Sequence, residues 1–166
     1  VVPCLTGTGE IHINRKDYES AESVTKDAID KAKSGDYLPG HIEGLYLLGL
    51  CKAKSGDNES GLALFEKALD MSELLPDTPR RAITRARIYN QLGYLAMRDQ
   101  QPEEALRDYG IAKRLLSSAP AHLVLAETHR MLGDFLSETG ESETGELELN
   151  AALDIAESLG ATYEMA

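Results

Sequence analysis

Ala86-Arg87-Ile88-Tyr89-Asn90-Gln91-Leu92-Gly93, followed by Pro102-Glu103-Glu104-Ala105-Leu106 and then Ala112, is the stretch on which the reading of this chain turns. A glycine lies inside an apolar run, a small residue stands twelve positions on, and an alanine stands nineteen positions on. The same frame recurs from Gly9, Gly49 and Gly133. The twelfth residue after each glycine is Ala21, Gly61, Ala105 or Gly145, and the nineteenth is Ala28, Ala68, Ala112 or Ala152. Two antiparallel helices approach closely only where side chains are small, so such a frame predicts a helix pair crossing at Gly and Ala. Larger residues at helical spacing (Leu48, Leu92 and Leu132, then Phe65, Tyr109 and Leu149) fill the remaining seam.

Working outward, punctuation agrees with the frame. Ser55-Gly56-Asp57 and Thr139-Gly140-Glu141 put a glycine at a helix end and an acid at the next start. Asp17 and Pro102 open second helices in the other two units, and Leu75-Pro76-Asp77-Thr78-Pro79 breaks one helix and begins another. First helices are expected at about 3–14, 40–54, 79–99 and 120–139, and second helices at about 17–33, 58–74, 102–117 and 142–159. The expected fold class is all-α: a right-handed α-solenoid of about four antiparallel helix pairs, read as one repeat domain with units near 2–38, 39–78, 79–118 and 119–160. The first residues read straight into a repeat and residues 161–166 look like the start of a further helix, as in a fragment of a longer array.

Composition supports a thin helical array. Aromatic residues are 5% of the chain and Trp is absent, while Ala, Leu and Glu are abundant. A net charge of −11 argues against general nucleic-acid binding, which needs clustered Lys and Arg. No apolar run reaches the roughly 20 residues of a membrane span. Cys4 and Cys51 form neither a disulfide framework nor a Cys-x-x-Cys metal site, and both are expected to be small buried hydrophobes in a reducing compartment. Charge is uneven. Residues 79–115 hold eight bases against four acids, whereas Met131–Ala166 holds nine acids and no Lys or Arg. That acidic stretch reads either as a solvated terminal face or as a surface for a basic partner, including the basic third unit of another copy.

The Leu-Gly pair, the small residue, the aromatic and the alanine of the second and third units resemble the tetratricopeptide repeat, and the resemblance covers essentially the whole chain. The resemblance departs in three respects, the first being Thr25 in the first unit where the others have Phe65, Tyr109 and Leu149. His12, Lys52, Ala96 and Leu136 stand where the family often has an aromatic, and the glycines recur at 40, 44 and 40 residues instead of the shorter familiar period. Such stretched repeats resemble those of large bacterial signalling proteins. The resemblance implies a non-catalytic, cytoplasmic protein-interaction or scaffolding part of a multidomain regulatory protein, binding a peptide or partner helix with no cofactor, nucleic acid or membrane. A ligand-sensing domain and self-association through the repeat ends are the alternatives.

In that family the first helices line a concave face. The positions six and three before each glycine, and one, four and five after it, then supply recognition. They give Tyr46, Leu50 and Lys54 (with Glu43) in the second unit. The third unit contributes Arg87, Asn90, Tyr94, Met97 and Arg98, and the fourth Arg130 and Asp134, flanked by Glu127 and Glu138. Thr6, Glu10 and Asn14 are the counterparts in the first unit. The mixture suits an apolar anchor with acidic groups, although Tyr46, Leu50 and Tyr94 could equally pack within and between repeats. The Asn that would grip a terminal carboxylate is Tyr94 here, which argues against a chaperone-tail clamp. For chemistry the chain offers little. His12, His41, His122 and His129 are expected to be structural, because His122 and His129 lack further ligands at zinc spacing. Gly7-Thr8-Gly9 lacks the rest of a phosphate loop, and no motif marks a nucleophile or an acid–base pair.

Overall fold

In the computed structural model, which describes residues 2–117 and 123–160, the described residues form eight α-helices and no strand. They are α1 (Val2–Asn14), α2 (Tyr18–Ser34), α3 (Leu38–Ser55), α4 (Asn58–Ser72), α5 (Pro79–Arg98), α6 (Pro102–Leu116), α7 (Leu123–Glu138) and α8 (Ser142–Ser158). The expected helices are all present. The largest differences among the described boundaries are two residues: α4 ends early at Ser72, and α3 begins early because Pro39 occupies its first turn, where its missing N–H has no helical partner to lose. The expected start of the seventh helix at 120, His122, and the expected further helix at 161–166 lie outside the described residues.

The chain forms two compact units, Val1–Asp77 and Thr78–Ala166, each holding two helix pairs. In the first unit α1 packs with α2, α2 with α3, and α3 with α4; in the second, α5 packs with α6, α6 and α5 with α7, and α7 with α8.

Each pair is held by the same seam. A Cβ placed on Gly9, Gly49, Gly93 or Gly133 would lie 2.8, 2.8, 2.9 and 2.7 Å from Thr25, Phe65, Tyr109 and Leu149 respectively, always the residue sixteen positions later. The backbone of the first helix thus lies directly against the seam residue of the second, and the alanines at Ala28, Ala68, Ala112 and Ala152 are buried beside it. Burying Phe65 or Tyr109 contributes about 2–3 kcal/mol of hydrophobic stabilisation each.

The turns within pairs repeat as well. Lys16, Gly56, Gln100 and Gly140 all have positive φ (61°, 99°, 59° and 95°), and each follows its seam glycine by seven residues. Asp17 and Asp57 then cap the second helices, accepting from the backbone N–H groups of Ser20 and Ser60 at 3.2 Å. Hydrogen bonding to Ser20 holds the Asp17 carboxyl below its ordinary value, with a further contribution from His12. Thr78 caps α5 by accepting from Arg81 N–H at 3.3 Å, with Pro79 at the first helical position.

Candidate functional site

The recognition positions lie on first helices, and the two units are best taken separately. In the second unit Tyr94 and Met97 emerge from α5 half-buried. They rest on an apolar cluster that includes Tyr109, Met131, Leu132 and Phe135. The Arg98 guanidinium lies 5.9 Å from the centre of the Tyr94 ring, in cation–π range, and Arg98 itself is exposed. On α7, Arg130 donates to Asp134 at 2.7 Å one turn along the same helix, and both remain partly open to solvent. Beneath them burial pushes the Tyr109 phenol well above its ordinary range, so it stays neutral and acts as core. Arg87 is half-buried on the preceding turns of α5. The unit therefore presents one apolar ledge, Tyr94–Met97, next to a stacked arginine and an ion-paired rim.

Two expected site residues are corrected. Asn90 is 1% exposed, because the position three before the seam glycine faces the neighbouring first helix. There its Nδ2 donates to Thr128 Oγ1 on α7 at 2.9 Å, and Thr128 Oγ1 donates in turn to the Val124 carbonyl at 2.7 Å. Tyr46, at the same register position in the first unit, is 6% exposed and packs its ring 5.9 Å from Phe65. Leu50 is half-buried and Lys54 exposed, one and five residues after Gly49. A third correction concerns Cys4, which is exposed, while Cys51 is buried as expected. Burial pushes the Cys51 thiol up, assisted by the charge of Glu22.

The polar clusters are cross-ties between helices. Glu148 on α8 accepts from Lys113 on α6 at 2.7 Å and meets His129 Nδ1 on α7 at 2.6 Å. Burial alone would raise the Glu148 carboxyl, but the two hydrogen bonds and the charges behind them outweigh it and hold it below its ordinary value. Reading along the chain missed this tie because its members are 19 and 35 residues apart. The available signal was the acid beside the seam residue in both later units, Asp108 before Tyr109 and Glu148 before Leu149. His12 meets Asp17 at 3.0 Å, and His41 is depressed by burial and by Lys33 and Lys67. Among the described residues no three His, Cys, Asp or Glu side chains gather as metal ligands, and no helix is long and apolar enough to cross a membrane.

Antiparallel helix pairs locked by a glycine seam, with half-exposed apolar and charged side chains on the first helices, define an all-helical repeat protein. Residues 42–73, which span most of α3 and all of α4, match the tetratricopeptide repeat family, and the chain has the TPR-like fold. No curated protein matches it in sequence. Among solved structures, NprR in complex with its cognate peptide NprX aligns with a TM-score of 0.83 at 14% identity, over 95% of this chain and 45% of that one. The apo form of RapI aligns with a TM-score of 0.77 at 12% identity, over 96% and 57%. BtubC (BKLC) from P. vanneervenii aligns with a TM-score of 0.73 at 13% identity, over 99% and 66%. At these identities the likeness is one of fold. The chain spans less than two thirds of the length of each of these three proteins.

Proposed function

We propose that this chain is a non-catalytic protein-interaction module. It binds an extended peptide or a partner helix on its first helices, chiefly on the α5–α7 face of the second unit. The observation that carries the reading is the Tyr94–Met97 ledge with Arg98 stacked beside it. Aromatic and arginine side chains set over a rigid apolar cluster are the residues that usually dominate binding energy, because they bury much surface, and the stack on Tyr94 already limits the freedom of Arg98. Arg98, Arg87 and the Arg130–Asp134 pair favour a ligand with an apolar anchor flanked by acidic groups, and Leu50 and Lys54 supply a smaller contact of the same kind on the first unit. That NprR, a protein of the same fold, is seen with a cognate peptide supports the peptide reading. In this reading the module is a regulatory part of a multidomain cytoplasmic signalling or transcription-regulating protein, and it uses no cofactor, nucleic acid or membrane.

The test is a random-peptide display selection against the chain, with the recovered peptides measured by fluorescence anisotropy. They are expected to carry an aromatic or aliphatic anchor with Asp or Glu nearby. Replacing Tyr94 and Arg98 together by Ala should weaken binding by at least about tenfold, or 1.4 kcal/mol, with far-UV circular dichroism unchanged. Undiminished binding by the double variant removes the α5–α7 face from the site.

A further inference from the structure

The two units share one internal frame. Gly93 follows Gly9, and Gly133 follows Gly49, by 84 residues, so each position of the first unit has a counterpart 84 later in the second. In the first unit α3 packs on both α2 and α4, and in the second α7 packs on both α6 and α8. The second unit joins its three helices through Glu148, which accepts from Lys113 at 2.7 Å and meets His129 at 2.6 Å. Side chains from the three helices therefore reach one another at this level of the fold.

The counterparts of Lys113, His129 and Glu148 in the first unit are Ile29, Leu45 and Leu64, all apolar. One helical turn further along stand Lys33, His41 and Lys67: four residues on in α2, four back in the antiparallel α3, and three on in α4. Lysine and histidine recur on the corresponding helices, but the third helix now brings a lysine where the second unit brings a glutamate. Lys33 and Lys67 are exposed, and among the described residues neither is ion-paired. His41 is half-buried, and its Nε2 is buried without a hydrogen-bond partner. Buried polar atoms are nearly always paired, so this nitrogen is set to take one. Burial, then the charges of Lys33 and Lys67, hold the imidazole below its ordinary value, and no carboxylate bears on it. Two ammonium groups beside an imidazole repel in isolation and attract a shared acceptor.

We propose that Lys33, His41 and Lys67 form an anion site on the α2–α3–α4 face of the first unit, taking a tetrahedral dianion of the phosphate class. The two lysines match its two charges. A turn of the ring about Cβ–Cγ swings Nε2 toward a third oxygen. A single carboxylate, enough for one lysine in the second unit, would leave one of these two unmatched. The site lies in the other unit from the proposed peptide face and does not rest on that reading.

NMR titration of the histidine rings in the whole chain tests this, with inorganic phosphate at pH 7 against chloride at matched ionic strength. The His41 ring signal, identified by its loss in His41→Gln, should move and saturate with phosphate and stay in place with chloride. Lys33→Gln combined with Lys67→Gln changes exposed positions, so circular dichroism should be unchanged while phosphate binding weakens at least about tenfold. If that double variant misfolds, Lys67→Gln alone is read in the same titration, with a loss of at least about threefold expected. Sulfate, a dianion at every pH used, isolates the ring. Its binding stabilises the protonated imidazole, so it should raise the pH midpoint of His41 and tighten several-fold between pH 8 and pH 5.5. Glycerol 3-phosphate beside inorganic phosphate separates two sources of the same group: tighter binding of the ester assigns the site to a phosphorylated small molecule, equal binding to free phosphate. A His41 signal that responds equally to chloride overturns the proposal. So does phosphate binding that the lysine variants leave unchanged, or sulfate binding without pH dependence.

Discussion

The two units use one helix-pair design but join their repeats with different chemistry. In the first unit Gly44 meets Ile29 through apolar contact, and the junction is closed at its edge by the part-exposed Glu22–Lys52 ion pair. In the second unit the residue at the Gly44 position is Thr128, hydrogen-bonded to Asn90, and the residue at the Ile29 position is Lys113, tied through Glu148 to His129. The first junction is therefore governed by fit. The second is held by polar pairs, which give little net stability, although stranding one member of a pair is costly. A repeat frame thus prescribes where helices meet without prescribing what holds them there.

The largest expected effect breaks the fit. Gly44→Val should destabilise the chain by about 2–3 kcal/mol, because the new side chain points at the near end of Ile29, where neither side chain can swing away. Hydrogen exchange should show faster opening of the first unit with the second little changed. Equal loosening of both units would mean that the junctions are not separate.

Next comes the tie in the second unit. Glu148→Ala should cost about 1–2 kcal/mol, since it removes the shared acceptor of Lys113 and His129. The pH dependence has a definite sign. A carboxyl held below its ordinary value in the folded state contributes stability above that value of 4.5, and the contribution is lost as pH falls through the lower, folded value. Thermal melts from pH 7 down to 3 should therefore converge for the wild type and the variant. A gap that persists at pH 3 would assign the effect to packing.

These contrasts also explain what could be read beforehand. The seam was legible because it is local: Gly49 and Phe65, or Gly93 and Tyr109, fall in consecutive helices at a fixed offset, and Gly, Pro and Asp mark where those helices end. The burial of Asn90 and Tyr46 was not legible in the same way. One turn before the seam glycine, exposure depends on what a neighbouring helix or a bulky seam residue places there, and periodicity within one helix carries no such information. Cys4 shows the converse. Its spacing marks it as a junction residue, but whether a junction forms depends on a helix from outside its own pair. On the candidate face, Tyr94, Met97 and Arg98 follow from one helix alone, whereas the Arg98–Tyr94 stack depends on side-chain conformation.

A smaller effect separates fit from polarity directly. Asn90→Val stays close to the asparagine's volume, removes a carbonyl oxygen that is buried without a hydrogen-bond partner, and leaves Thr128 still donating to Val124. Stability should change by less than about 1 kcal/mol in either direction. A loss of several kcal/mol would show that Asn90 holds α5 to α7 in a way its single bond to Thr128 does not account for.

The smallest expected effect asks whether the units differ anywhere besides their junctions. Each has one glycine and one ordinary residue at the left-handed turn position, Gly56 with Lys16 in the first and Gly140 with Gln100 in the second. A left-handed conformation costs a side-chain-bearing residue roughly 1–2 kcal/mol, while glycine gives back roughly 0.5–1 kcal/mol through the freedom it gains in the unfolded chain. Lys16→Gly and Gln100→Gly should each stabilise by about 0.5 kcal/mol, a rise of about 1–2 °C in melting temperature. Because the φ values are nearly the same, 61° and 59°, the two gains should match. A clear gain for Lys16→Gly with none for Gln100→Gly would mean that the second unit already relieves its turn by another route, and the contrast between the units would extend beyond the junctions.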